Sequence, residues 1–218
     1  MAFEEVNNYI NEVRRDFAQK VLDESAVDKN PYEQLGVWIE EAINSQILDP
    51  YAMVISTANK EGVPSSRVVY LRGIYKEGLV FYTNYESKKG KELIENPQIA
   101  LNFFWGEVER QVRIDGSVEK FSAEGSDKYF DARPRDSKIG AWASLQSEVI
   151  NDREELAKRF EDFKNKFEGK DVPRPPYWGG FLVKPNYFEF WQGRPNRLHD
   201  RIFYKKNNEN WRLGRLMP

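Results

Sequence analysis

The chain has 218 residues, with 33 basic against 35 acidic side chains and a formal net charge of −2. That length suits one domain able to bury roughly 70% of its unfolded surface, and near-neutrality removes any global field for nucleic acid or an anionic membrane, so anion sites must be local. There is no cysteine and only one histidine, which excludes disulfides, thiolate nucleophiles and Cys-ligated clusters, and no metal site is expected.

The segment from Met1 to Val6 lacks the basic start and apolar core of a signal peptide, and no apolar run approaches the roughly 18 residues of a membrane span. A cytoplasmic protein is the expectation. Val6, Tyr9, Ile10, Val13 and Phe17 recur at three- and four-residue steps, which predicts an amphipathic helix with one face to dock. A second helix starts at Asn30 as N-cap, with Pro31 in the first turn and Glu33 closing a capping box, and continues through Leu35, Trp38, Ile39, Ala42 and Ile43.

From Ala52 the period becomes extended. Segments 52–59, 64–75 and 79–83 are rich in Val, Ile and Tyr and are separated by Lys60-Glu61-Gly62 and Lys76-Glu77-Gly78, which predicts an antiparallel meander. A short helix opens at Ser87 and runs through Ile94. Strands over 98–104 and 109–121 follow, joined near Gly106. Helices are predicted over 122–132 and 139–144, broken at Arg133-Pro134-Arg135-Asp136-Ser137. A further helix has Asn151 as cap, Glu154 as box partner and Leu156, Phe160, Phe163 and Phe167 as its stripe. The Pro-rich segment 172–177 ends it, and strands over 178–183, 187–192, 201–205 and 211–216 complete the chain.

Successive hairpins with interposed helices predict an α+β protein with a mostly antiparallel sheet. No Gly-x-Gly-x-x-Gly follows a strand and there is no P-loop, so a doubly wound nucleotide fold is not supported.

Local anion sites stand out against the neutral whole. Lys88 and Lys89 fall in the first turn after Ser87, where basic residues oppose the helix dipole unless an anion is present. On charge pattern alone a solvated lysine cluster is the default. Arg67 and Arg72 flank the apolar run from Val68 to Leu71 and need partners. Tyr129, Arg133 and Ser137 bracket the break at Pro134; they could bind a phosphate dianion or mark a structural turn with an Arg135–Asp136 contact. Arg197, His199 and Arg201, at a spacing of two, share one face of an extended segment and suit a planar anionic ligand; a solvated strand end with an Asp200 ion pair fits as well.

Phe188-Glu189-Phe190-Trp191-Gln192, four residues, then Arg197-Leu198-His199-Asp200-Arg201 resembles the C-terminal signature of the pyridoxamine 5′-phosphate oxidases. The resemblance runs from Arg14-Arg15 to Arg215-Leu216-Met217-Pro218. It implies a split β-barrel of the type that binds flavin mononucleotide (FMN), with packed peripheral helices, as one domain over 1–218 whose N-terminal helical segment is placed to cover the active site. It also implies a homodimer with FMN between subunits. By resemblance, Arg67, Val68, Val69, Tyr70, Leu71 and Arg72 follow the flavin along a strand, Tyr82 and Thr83 touch it, and Ser87, Lys88 and Lys89 hold its phosphate. Gln111, Gln146, Ser147, Trp191 and Arg201 complete the cofactor set. The substrate, a phosphorylated B6 vitamer, would meet Arg72, Tyr129, Arg133, Ser137 and Arg14, with Arg197 and His199 as catalytic residues at its ring and molecular oxygen as acceptor.

This chain departs from the family pattern at Arg72, where lysine is usual, at Lys88, where arginine is usual, and at Phe17, where a tyrosine is usual. Another split-barrel flavin oxidoreductase, and a non-catalytic binder of flavin or pyridoxal phosphate, are the alternative readings.

Overall fold

A computed structural model of the chain describes residues 3–12, 16–17 and 20–218. Helix α1 (Phe3–Glu12) buries none of its residues and leaves Phe3, Tyr9 and Ile10 exposed, so the predicted apolar face does not dock on this chain. Val13 and Arg14 lie outside the described residues, and Phe17 stands in non-helical backbone. Helix α2 (Pro31–Asn44) is capped as expected, with the Asn30 side chain accepting from Tyr32 N. The capping box is absent, because the Asn30 N–H that Glu33 would have taken donates instead to Asp28 at 2.7 Å. Leu35, Trp38 and Ala42 form the buried face of this helix.

Nine strands make one antiparallel sheet: β1 (Ala52–Ala58), β2 (Pro64–Tyr70), β3 (Gly73–Tyr75), β4 (Gly78–Asn84), β5 (Gln98–Trp105), β6 (Arg110–Lys120), β7 (Trp178–Gln192), β8 (Asp200–Asn207) and β9 (Asn210–Arg215). The order is β2-β1-β5-β6-β7-β4-β3, with β8 on β7 and β9 on β8. Helix α3 (Lys88–Glu95) joins β4 to β5, while α4 (Ala123–Asp131), α5 (Arg135–Ala143) and α6 (Arg153–Lys166) lie between β6 and β7.

Strands β2 and β3 sit at opposite ends of that path, yet only Leu71 and Arg72 connect them. A two-residue link between the two edges forces the sheet to curl on itself. Leu71 N donates to Tyr51 O and Arg72 N to Val80 O, so these two residues stitch the seam. The single strand predicted over 64–75 therefore breaks at 71–72, where the backbone changes edges. The reverse correction applies to 178–192. These residues form one strand because β6 pairs along most of it, with Pro185 falling where the register slips at Asp115/Gly116; a proline lacks the ladder N–H and is tolerated at such a slip.

Alternation decides which face is the core. In β1 every second residue is buried, and Met53, Ile55, Leu101, Phe103, Val112, Ile114, Phe188 and Phe190 fill the interior with Leu35 and Trp38 of α2. A small second cluster, Ile139, Phe167 and Val172, packs α5 against α6. Helix α5 starts at Arg135 and not at residue 139, so Ser137 lies inside it. The cap of α6 is Asp152, one residue later than expected, and Glu155 reaches back to Asn151 N. The result is the split-barrel fold with peripheral helices.

Candidate active site

Two groups of the predicted residues form in different parts of one chain. The first surrounds a cavity of about 680 Å³ lined by β2, β4, α3, α4 and α5. Helix α3 starts there because Ser87 caps it: its hydroxyl accepts from Gly90 N and donates to Asn84 O at 2.6 Å. Gly90 is needed for close approach, since a Cβ there would stand 2.3 Å from Tyr85 O. This start aims the two neighbouring lysines differently. Lys89 is buried and lines the cavity, while the Lys88 side chain is 65% exposed and lies 4.0 Å from Glu92.

Among the described residues, Lys89 Nζ donates to neutral acceptors alone, Gln146 Oε1 at 3.0 Å, Thr83 Oγ1 at 3.3 Å and Ser87 Oγ at 3.4 Å. Burial, followed by the nearby Arg67 charge, pulls its pKa down to about 8 against the opposing pull of Glu92. Arg67 is braced by Thr57 Oγ1 at 2.6 Å and Glu92 at 3.6 Å. Arg72, at the barrel seam, lies over the rings of Tyr51 and Tyr70 at 5.2 and 4.9 Å.

Opposite these, Tyr82 and Tyr129 stack at 3.8 Å and 7°, with Trp178 parallel to Tyr82 at 5.6 Å. Burial pushes the Tyr82 hydroxyl up to about 12, so it stays protonated. Arg133 lies 4.7 Å over Trp178, and its Nη1 is buried without a hydrogen-bond partner. Among the described residues, four cations, Arg67, Arg72, Lys89 and Arg133, line the cavity, and no carboxylate does.

Thus Arg67, Val68, Val69, Tyr70, Arg72, Tyr82, Thr83, Lys89 and Gln146 from the predicted cofactor set share one cavity with Tyr129, Arg133 and Ser137 from the predicted substrate set. Leu71 belongs to the core, and Ser87 supports the helix start from behind. Ser147, beside Gln146, has a left-handed backbone with φ 77° and does not line the cavity. Asn84, Gly140, Ala141, Ser144 and Trp178 also line it and had not been expected. The signal for three of them was present: Ser137, Gly140, Ala141 and Ser144 follow one another at steps of three, one and three, a smooth helix face of small residues. It was hidden by reading the helix start at 139.

The second group lies along the outside of the sheet. Gln111, Trp191 and Arg201 are register partners across β6, β7 and β8, so their side chains share one face. Arg201 Nε donates to the buried Glu189 at 2.9 Å, and Arg201 Nη1 donates to Met217 O. Beside this row, the His199 ring centre stands 4.7 Å from that of Trp191 and 5.2 Å from that of Phe17, to which it is perpendicular. Arg197 is exposed in the short 3₁₀ turn Pro195–Arg197. None of these residues lines the cavity. Trp178, which does, and Trp191 are the two ends of β7, separated by roughly 40 Å of extended chain.

Residues 39–167 match the family model described as pyridoxamine 5′-phosphate oxidase, and residues 178–218 match the model of a pyridoxine 5′-phosphate oxidase C-terminal dimerisation region. The chain belongs to the pyridoxamine 5′-phosphate oxidase family. Membership makes it an enzyme. The pyridoxine/pyridoxamine 5′-phosphate oxidase of Rubrobacter xylanophilus is 50% identical, over 94% of this chain and 95% of its own length. That of Trichormus variabilis is 49% identical, over 96% and 98%. PhzG from Burkholderia lata 383, solved in complex with tetrahydrophenazine-1-carboxylic acid, has the same fold at a TM-score of 0.86 and 29% identity, covering 92% of this chain and all of its own. A pyridoxamine 5′-phosphate oxidase-related, FMN-binding protein from Nostoc punctiforme shares the fold at a TM-score of 0.69 and 15% identity, covering 88% of this chain and 100% of its own. Among the described residues no helix is long and apolar enough to cross a membrane.

Proposed function

We propose that the protein oxidises pyridoxamine 5′-phosphate and pyridoxine 5′-phosphate to pyridoxal 5′-phosphate, with FMN as the hydride acceptor and molecular oxygen as the final acceptor, released as hydrogen peroxide. The observation that carries this reading is the cavity lined by four cations and no carboxylate, in which Arg133 Nη1 has no partner. A buried ammonium bonded only to neutral groups and an unpaired buried guanidinium each call for an anion. The donor set therefore fits FMN and a phosphorylated substrate together.

Lys89 and Arg67, steadied by Thr83, Gln146 and Glu92, would hold the cofactor's phosphate. Tyr129, Arg133 and Ser137 would hold the substrate's phosphate, and the small-residue face of α5 leaves room for flat rings beside the aromatic stack. When bound, FMN supplies the two-electron acceptor. The chain's own work is to hold the substrate's exocyclic carbon against it and to keep water away.

In this reading the active unit is a homodimer. The Gln111–Trp191–Arg201 row, with Arg197 and His199, would come to the cavity from a second copy, because one strand cannot present both of its ends to one pocket. Arg197 would fix the substrate ring and His199 its polar groups, in the cytoplasm. The match of residues 178–218 to a dimerisation region supports this arrangement.

The test is to add pyridoxine 5′-phosphate to purified yellow protein in air and follow aldehyde and peroxide. Stoichiometric formation of both is expected. Colourless protein that takes up no added FMN would sink the reading. Yellow protein that ignores B6 phosphates but oxidises a tetrahydrophenazine carboxylic acid would replace it with the chemistry suggested by the PhzG likeness.

A further inference from the structure

The loop from Gly193 to Asp200 is held more firmly than a surface turn requires. Asn196 and Arg197 both have left-handed backbones, φ 57° and 60°, a strained state for non-glycine residues that persists only where the surroundings over-determine it. Five contacts supply that restraint. Arg194 Nη1 donates to Lys20 O at 3.2 Å, and Arg194 Nε lies 3.4 Å from the Asp200 carboxylate. Asp200 also accepts from Leu22 N at 3.1 Å and from Arg215 Nη1 at 2.7 Å. Inside the loop, the backbone N–H of Arg194 donates to Nδ1 of His199 at 3.1 Å.

That last bond has a chemical consequence. A neutral imidazole has one N–H and one lone-pair nitrogen, and a backbone N–H can only donate. Nδ1 is therefore the acceptor, and the ring's proton sits on Nε2. The ring plane is fixed as well, by Phe17, perpendicular to it at 5.2 Å between ring centres, and by Trp191 at 4.7 Å. Among the described residues the charges acting on it are Arg197 and Asp200; burial first, then Arg197, lower its pKa, while Asp200 opposes them.

We propose that His199 serves the reaction as a neutral hydrogen-bond donor through Nε2–H, with Arg194 and Asp200 as the positioning residues that set its tautomer, and not as the acceptor of a substrate proton. This rests on the function proposed above. A substrate oxygen or nitrogen facing Nε2 would accept a hydrogen bond from it, and a proton leaving the substrate would go to solvent or to another group.

The chain has a single histidine, so ¹⁵N-histidine labelling of the FMN-loaded protein reads this one ring. Above the ring's titration, Nδ1 is expected at the shift of an unprotonated nitrogen and Nε2 at that of a protonated one. The opposite pattern, or the averaged shifts of a ring sampling both tautomers, would overturn the proposal. Asp200→Asn removes the charge that holds Arg194 and is expected to bring in that averaging; unchanged shifts would remove Asp200 from the arrangement.

In kinetics, His199→Gln places an amide N–H near Nε2 but cannot take up a proton. It is expected to turn over about tenfold faster than His199→Ala, as one restored hydrogen bond allows; equal rates would count against the donor role. The spectroscopic measurement needs no turnover. A protein inactive on B6 phosphates would thus defeat the proposed function while the nitrogen shifts still decided the tautomer.

Discussion

Arg133 and Lys89 show how single residues mark the site. Arg133 is stacked on Trp178 yet has a buried nitrogen without a hydrogen-bond partner among the described residues, which suits the phosphate role proposed for it. Arg133→Ala is expected to raise the KM for pyridoxine 5′-phosphate roughly 10- to 100-fold, the value of one or two charge-assisted bonds to phosphate, with flavin content unchanged by absorbance. If Lys89 holds the FMN phosphate as proposed, its pKa, pulled down to about 8, should make cofactor binding pH-dependent. A bound phosphate raises its pKa, so binding takes up a proton above that value, and FMN affinity should fall as pH rises through about 8. For the unliganded fold the sign is opposite. The fold prefers the neutral amine, so this residue's cost is fully present below about pH 8 and fades as pH climbs toward the ordinary lysine range. Fluorescence titration of FMN on both sides of that pH checks the effect, and Lys89→Gln should flatten it. The residue types were legible in the sequence. That Lys89 faces the cavity while Lys88 faces Glu92 was not, because consecutive helical residues point about 100° apart and only the docking of α3 selects between them.

Among the elements, helix α3 is the one that brings Lys89 to the cavity, where the cofactor's phosphate is proposed to bind. Its start is set by Ser87, which bonds Gly90 N and Asn84 O. Ser87→Ala should cost about 1 kcal/mol of stability, measured by denaturant titration, and should weaken FMN binding because the turn carrying Lys89 loses its anchor. The cap of α6 fell one residue late because Asn151 and Asp152 both stand at that start, and local sequence cannot say which of two adjacent polar side chains reaches the free N–H groups. The start of α5 lies four residues earlier than its predicted range, and it has no side-chain cap that could have marked it. The strands were displaced by long-range pairing. Residues 64–75 are extended throughout, yet they break at Leu71-Arg72 because those two residues cross between sheet edges. Residues 178–192 stay one strand despite Pro185 because β6 bridges the slip.

On the scale of the whole molecule, the two groups of candidate site residues sit at opposite ends of β7, and a second copy is the simplest way to unite them in the proposed site. If the proposed homodimer is right, Arg133→Ala and Arg197→Ala, each weakly active alone when assayed at substrate far below the raised KM, should recover activity at that concentration when refolded together. Half of the dimers would be mixed, each with one intact site of two, so about a quarter of wild-type activity is expected; recovery no greater than the sum of the separate variants would place both groups in the same subunit's site. By itself the sequence determined the antiparallel strands, the helices, the absence of thiol chemistry and a store of arginines and lysines in an otherwise neutral chain, because periodicity, caps and composition are local properties. Only the tertiary structure decided that Arg67, Lys89 and Arg133 line one cavity, that the small residues of α5 form its smooth wall, and that Trp191, Arg197 and His199 stand apart from it. Those outcomes depend on how the sheet curls through the Leu71-Arg72 link and on which strands pair across more than 80 residues of chain, a long-range choice that no local pattern encodes.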